Sequence, residues 1–215
     1  MFRSTAILAA ILAMPVAGQT SPLTVTGVVR PVIGATVCQQ GETHFLECTQ
    51  VFLRSDTVDL KALEGQNVRI TGTDIGVTCP VLQVTAATPA FTFLETCGTA
   101  SPGCPLKFKV CPGPIGVAWL ALSTAPGFAP VHVLYSPVPE TILLAEPWVA
   151  IPLGFGPSFC FEETIPIPVD LSLVGATFHL QGARMDIGPV GPLQLTNALC
   201  LTIGPPGPPC VMPGC

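Results

Sequence analysis

Apolar and polar residues alternate in short runs along most of this chain, and glycine or proline closes nearly every run. Residues 23–33 begin Leu-Thr-Val-Thr, with Leu23, Val25 and then Val28 apolar, and predict a strand bent at Gly27. Residues 43–54 predict a second strand. It has Phe45, Glu47, Thr49 and Val51 on one face and His44, Leu46, Cys48, Gln50 and Phe52 on the other. Residues 55–65 hold the one good helical turn, with Asp56 or Thr57 to cap it, Leu60 and Leu63 on one face, and Gly65 to end it. Strands follow over 66–72, with Val68 and Ile70 inward and Arg69 and Thr71 outward, and over 79–86. The stretch 97–105, Cys-Gly-Thr-Ala-Ser-Pro-Gly-Cys-Pro, is small and turn-rich and reads as a boundary. Beyond it short strands are expected over 106–110, 115–122 around Trp119, 131–135, 141–144, 148–153, 159–161, 171–173, 177–185 and 193–203. About eight strands at roughly ten-residue spacing fit a β-sandwich.

Composition supports an all-β class. Pro and Gly make up 46 of 215 residues, and the prolines forbid long helices. The 49% hydrophobic content is enough to bury a core. The first 18 residues carry one positive charge, Arg3, then an apolar run of about ten residues ending in small Val16-Ala17-Gly18. This is the build of a secretory leader cut after Gly18, and it is too short to span a membrane. Mature protein would start at Gln19.

Export changes the meaning of the ten cysteines: Cys38, Cys48, Cys79, Cys97, Cys104, Cys111, Cys160, Cys200, Cys210 and Cys215. Their number is even and none forms a CxxC, so disulfides are expected rather than zinc ligation or redox chemistry. Sequence does not fix connectivity. The simplest expectation pairs near neighbours: Cys38 with Cys48, Cys79 with Cys97, Cys104 with Cys111, Cys160 with Cys200, and Cys210 with Cys215. The tail 205–215 then reads as a stiff polyproline II segment closed by a Cys210–Cys215 loop, since two Gly-Pro-Pro triplets are too few for collagen.

Residues 21–97 also carry a resemblance. A Gly-kinked strand, a second strand, a short turn, Leu63-Glu64-Gly65-Gln66-Asn67-Val68-Arg69-Ile70-Thr71-Gly72 and a final Val81-Leu82-Gln83-Val84 together resemble a small OB-fold barrel. That resemblance, and the closing stretches 176–186 and 193–204, are also similar to uncharacterised cysteine-bearing proteins exported by environmental bacteria. The implied organisation is an OB-like barrel over 19–97, a linker over 98–105 and a disulfide-stapled β-sandwich over 106–204. OB-folds bind oligonucleotides or oligosaccharides on one face. Of the aromatic residues in that half, strand periodicity makes most of Phe45, Phe52, Phe91 and Phe93 core candidates. Metalloproteinase inhibitors of the netrin-like kind use an N-terminal cysteine that this chain lacks.

Candidate chemistry is sparse. Formal charge is −5, or −6 once Arg3 is lost (seven Lys+Arg against thirteen Asp+Glu), with no basic run to neutralise phosphates, so nucleic acid is not an expected partner. His44, His132 and His179 are far apart in sequence, and His44 and His179 are expected to face solvent; no metal and no cofactor is implied. There is no GxSxG elbow. Glu162, Glu163 and Asp170 could make a glycosidase acid pair, but a solvated loop explains Glu162 and Glu163 better. Cys210-x-Met212-x-x-Cys215 reads as a disulfide loop rather than a soft-metal site. Only 10% of residues are charged, which leaves a surface suited to other proteins, cell-surface polymer or a copy of the chain itself. The expectation is therefore a secreted or cell-surface, non-enzymatic structural or binding protein. The alternatives are a carbohydrate-binding module using the OB face or an exposed Trp119 or Trp148, and, less favoured, an extracellular hydrolase.

Overall fold

A computed structural model describes residues 21–35, 38–111, 116–132, 138–156, 160–186, 193–207 and 210. The leader, its cleavage point and Cys215 lie outside the described residues. The protein is all-β, and its described helical pieces are two single turns of 3-10 helix.

Five strands close into a ring: β1 (Leu23–Pro31), β2 (His44–Leu46), β3 (Phe52–Arg54), β4 (Asn67–Asp74) and β5 (Val81–Pro89). Their order is β1-β2-β3-β5-β4 and back to β1, with β3 and β5 parallel and the other pairs antiparallel. β1 makes closure possible by serving two neighbours. Leu23 to Val28 face β4, and Val29 to Pro31 face β2. Gly27 lies at this handover on the inner face. A Cβ there would stand 3.2 Å from the Leu46 side chain, so the missing side chain is filled from across the ring. Val25, Val29, Leu46, Leu53, Val68, Ile70, Leu82 and Val84 fill the centre, and Leu60 from the β3–β4 connection plugs it. Burying so many aliphatic side chains, each contributing about 1.5–3 kcal/mol, supplies the ring's main stabilisation.

The segment 43–54 is a hairpin rather than one strand. Cys48 takes a positive φ of 62° in a tight turn, where Leu46 N–H donates to Val51 O and Thr49 Oγ1 donates to Leu46 O. The buried positions change parity across the turn, from His44 and Leu46 before it to Val51 and Leu53 after it, so Phe45 and Phe52, expected on opposite faces, are direct cross-strand partners. The helical turn falls at Lys61–Leu63, and Asp59, not Asp56 or Thr57, accepts from the Lys61 and Ala62 N–H groups.

The second half adds β6 (Phe93–Cys97), β7 (Pro105–Cys111), β8 (Gly116–Ser123), β9 (Pro126–Val131), β10 (Glu140–Leu144), β11 (Val149–Gly156), β12 (Phe161–Pro166), β13 (Thr177–Asp186) and β14 (Leu193–Thr202). β6, β7 and β12 form one sheet, and β11, β8, β13 and β14 another. The two sheets enclose a second core of Leu94, Leu106, Phe108, Val110, Ala118, Leu120, Phe161 and Leu180. Leu171–Leu173, expected as a strand, is a 3-10 turn capped by Asp170, whose carboxylate accepts from Ser172 N–H.

Strand pairing crosses the expected boundary twice. β6, a strand not expected from the sequence, lies within the bounds 19–97 given to the first unit but pairs with β7, so residues 98–104 form a hairpin connection and not a free linker. Ser101 and Cys104 within it are buried. β10 returns to the first unit and lies parallel to β1, with Thr24 N–H donating to Pro139 O and β9 beyond it.

The disulfides also differ from the near-neighbour expectation. The bridges are Cys38–Cys79, Cys48–Cys200, Cys104–Cys210 and Cys111–Cys160, with Cα–Cα distances of 4.4–5.8 Å. Cys97 is disulfide-bonded as well. Cys48–Cys200 spans 152 residues and ties the β2–β3 turn to the end of β14. Cys210 bonds Cys104, so it does not close a Cys210–Cys215 loop; it anchors the tail to the start of β7. Near neighbours in sequence are not paired because a disulfide needs facing Cβ atoms at short range, and the fold brings distant turns and strand ends together instead.

Candidate functional site

The outer face of the ring is where the two halves meet. Alternation sends Thr24, Thr26, Arg69 and Thr88 outward from β1, β4 and β5, and Thr26, Arg69 and Thr88 fall in one cross-strand row. Thr24 and Thr26 are nonetheless buried, because the second half covers them. Polar side chains also tie the strands that cover this face to one another. Gln181 of β13 accepts from Leu143 N–H at 2.9 Å and donates to Thr196 O at 3.1 Å. Asn197 of β14 accepts from Leu94 N–H at 2.9 Å and donates to Leu94 O at 3.3 Å, joining β14 to β6.

At one end of the seam Arg69 meets Glu140 through both carboxylate oxygens, Nη1 donating to Oε2 and Nη2 to Oε1. The Glu140 side chain is 1% exposed, that of Arg69 36%. Burial pushes the Glu140 carboxyl above its ordinary value, against the hydrogen bond and charge of Arg69, which draw it down. Beside this pair opens a cavity of about 320 Å³. Arg69, Thr88, Phe91 and Thr92 line it from the first half and Gln194 and Leu195 from β14. Thr92 Oγ1 donates to Gln194 Oε1, which fixes the amide so that its N–H groups turn away from Thr92. Phe91 is 78% exposed at the rim.

Phe91 is thus no core residue. It precedes β6, on a connection that follows Pro89, while Phe93 begins the strand. Phe45 and Phe52 are cross-strand partners on β2 and β3, half-buried outside the aliphatic core, with ring centroids 6.5 Å apart and planes tilted by 50°. They pack on each other at an angle and do not present one flat platform.

The other residues singled out in the sequence are scattered. Trp119 is half-buried in the middle of its sheet, opposite Pro152 and Ala183. Trp148 stands just before the edge strand β11, 36% exposed, beside Glu146 and Pro147 in an open depression. His44 is buried and not solvated; its Nδ1 meets Thr43 Oγ1 at 2.8 Å and its Nε2 meets Glu64 Oε1 at 3.2 Å. His179 is half-buried and contacts Cys48 O through Nδ1 at 3.2 Å. His132 is exposed elsewhere.

Glu162 and Glu163 sit on β12, not in a loop. Glu162 pairs with Lys107 and Lys109 across the strands, and the Lys107 contact holds its carboxyl below the usual range. Asp170 is held low by the Ser172 N–H it caps. Glu162 and Asp170 thus have structural partners, and Glu163 is an exposed position of β12. Buried Arg184 lies with its guanidinium 5.1 Å from the centre of the Phe161 ring. Among the described residues no three His, Cys, Asp or Glu side chains gather to hold a metal ion, and no helix is long and apolar enough to cross a membrane.

The seam residues were invisible in the sequence because Arg69, Phe91, Glu140 and Gln194 are far apart along it. The only local signal was an aromatic residue, Phe91, isolated between Pro89 and the next strand. No family model, no curated protein and no solved structure matches the chain.

Proposed function

We propose that this is an exported, non-enzymatic binding or structural protein, built as an OB-like barrel joined to a β-sandwich. The single observation carrying this reading is the disulfide set: every described cysteine is bonded, and the four bridges between described residues connect positions 41–152 residues apart. Such a framework persists in oxidising compartments and not in a reducing cytosol. The five-strand ring and the 3-10 turn between β3 and β4 support the OB-like half. Two sheets sharing one aliphatic core support the sandwich half. Expression of the full chain with its leader in a bacterial host tests export. Protein recovered outside the cytoplasm, beginning near Gln19 and without alkylatable thiols, is the expected result. Retention in the cytoplasm with free thiols refutes the reading.

A second reading, a carbohydrate-binding module, is favoured by one observation. An exposed aromatic ring, Phe91, stands at the rim of a cavity lined by hydrogen-bonding side chains. Pockets for small polar ligands combine apolar surface with a few fixed polar groups in this way.

A further inference from the structure

We propose that the seam cavity binds one neutral sugar ring, stacked on Phe91 and hydrogen-bonded by Arg69, Gln194 and Thr88. This rests on the carbohydrate-binding reading and adds to it the site and the chemistry of the ligand.

Charge selects the ligand. Among the described residues Arg69 is the one cation lining the cavity, and Glu140 already occupies two of its N–H groups. The pair is neutral as a unit, so a phosphate, a sulfate or a uronate carboxylate would find no uncompensated positive charge there. Burying such an anion without a counter-charge is unfavourable. The guanidinium still carries N–H groups beyond those two, and Glu140 polarises it without consuming them. Hydroxyl groups of a neutral sugar accept from such donors and need no net charge.

Geometry selects the size. A cavity of about 320 Å³ stands at the small end of ligand pockets, which suits one ring rather than an enclosed chain. Leu195 and Pro89 supply apolar lining, and the exposed ring of Phe91 offers a π-surface to the C–H face of a sugar. The donors are preorganised: Gln194 is held by Thr92, and Arg69 by Glu140. Both halves of the protein contribute, so the site exists only where β14 lies against the outer wall of the ring.

The test is isothermal titration calorimetry of the oxidised mature protein. Cellohexaose, xylohexaose and mannohexaose are the neutral probes, and hexagalacturonate is the acidic one. At least one neutral probe is expected to bind, more tightly than hexagalacturonate. Phe91→Ala is expected to weaken that binding about tenfold, the effect of losing one aromatic contact. Phe91→Trp should preserve it, Gln194→Ala should weaken it, and Phe45→Ala should leave it unchanged. Phe91 is exposed, so its variants fold. Wild-type protein that binds none of the probes at millimolar concentration overturns the carbohydrate reading and this site together. Binding that survives Phe91→Ala, or that is lost on Phe45→Ala, overturns the site alone. Preference for hexagalacturonate overturns the neutral chemistry.

Discussion

Replacing Arg69 by Met isolates the buried charge of Glu140. Methionine keeps the apolar stem of Arg69 and removes the cation, leaving a carboxylate with 1% of its side chain exposed and no counter-ion. Glu140 can escape that state by taking up a proton. At pH 7, protonating a carboxyl whose ordinary value is 4.5 costs about 3.4 kcal/mol, at about 1.4 kcal/mol per pH unit. This sets a ceiling on the charge penalty. Arg69 is about a third exposed, so water screens part of the native attraction, and a loss of about 2–3 kcal/mol is expected at pH 7.

The sign with pH follows from burial. In the variant the folded-state pKa of Glu140 lies above its unfolded value, so the native state holds a proton that the unfolded chain has released. Stability therefore falls as pH rises above about 4.5 and recovers as pH drops back towards it. Wild type moves in the same direction, but less, because Arg69 draws the carboxyl down. Urea unfolding with disulfides intact, followed by the fluorescence of Trp119 and Trp148 at pH 7 and at pH 4.5, measures this. The double variant Arg69→Met with Glu140→Gln should recover most of the pH 7 loss. An equal loss for Arg69→Met at both pH values would assign the effect to packing and refute the charge argument.

Two further outcomes are expected. Non-reducing peptide mapping should recover Cys48 joined to Cys200 and Cys104 joined to Cys210, and no Cys38–Cys48 peptide; Cys48→Ala with Cys200→Ala should then lower unfolding stability by up to about 5 kcal/mol, the chain-entropy limit for so long a loop, less whatever the remaining bridges already restrict. Asn197→Ala leaves the Leu94 N–H and C=O without their side-chain partner inside the protein and should cost about 1–3 kcal/mol in the same unfolding assay, with one cooperative transition retained; an unchanged midpoint would show that β14 and β6 are not held together by this contact.

Local pattern determined a good deal of this protein. The all-β class, the inward positions Val68 and Ile70 and the bonded state of the described cysteines follow from alternation, proline content and composition, because each depends on a residue and its nearest neighbours. The all-β class and the described disulfides are present in the fold. What faces what was decided only in three dimensions. Cys48 bonds Cys200 because the fold brings the β2–β3 turn to the end of β14, a strand of a different sheet, and β1 pairs with β10 across the two halves. Residues 43–54, read as one strand, are two because the chain turns at Cys48, which moves the buried set from even to odd positions. Thr24, Thr26 and Arg69 look like solvent-facing positions of a half-buried strand. The second half covers the threonines and sets Glu140 against Arg69, turning an outer wall into a seam. A side chain's parity along a strand says which face it occupies, but only the packed partner says whether that face meets water, a carboxylate or a ligand.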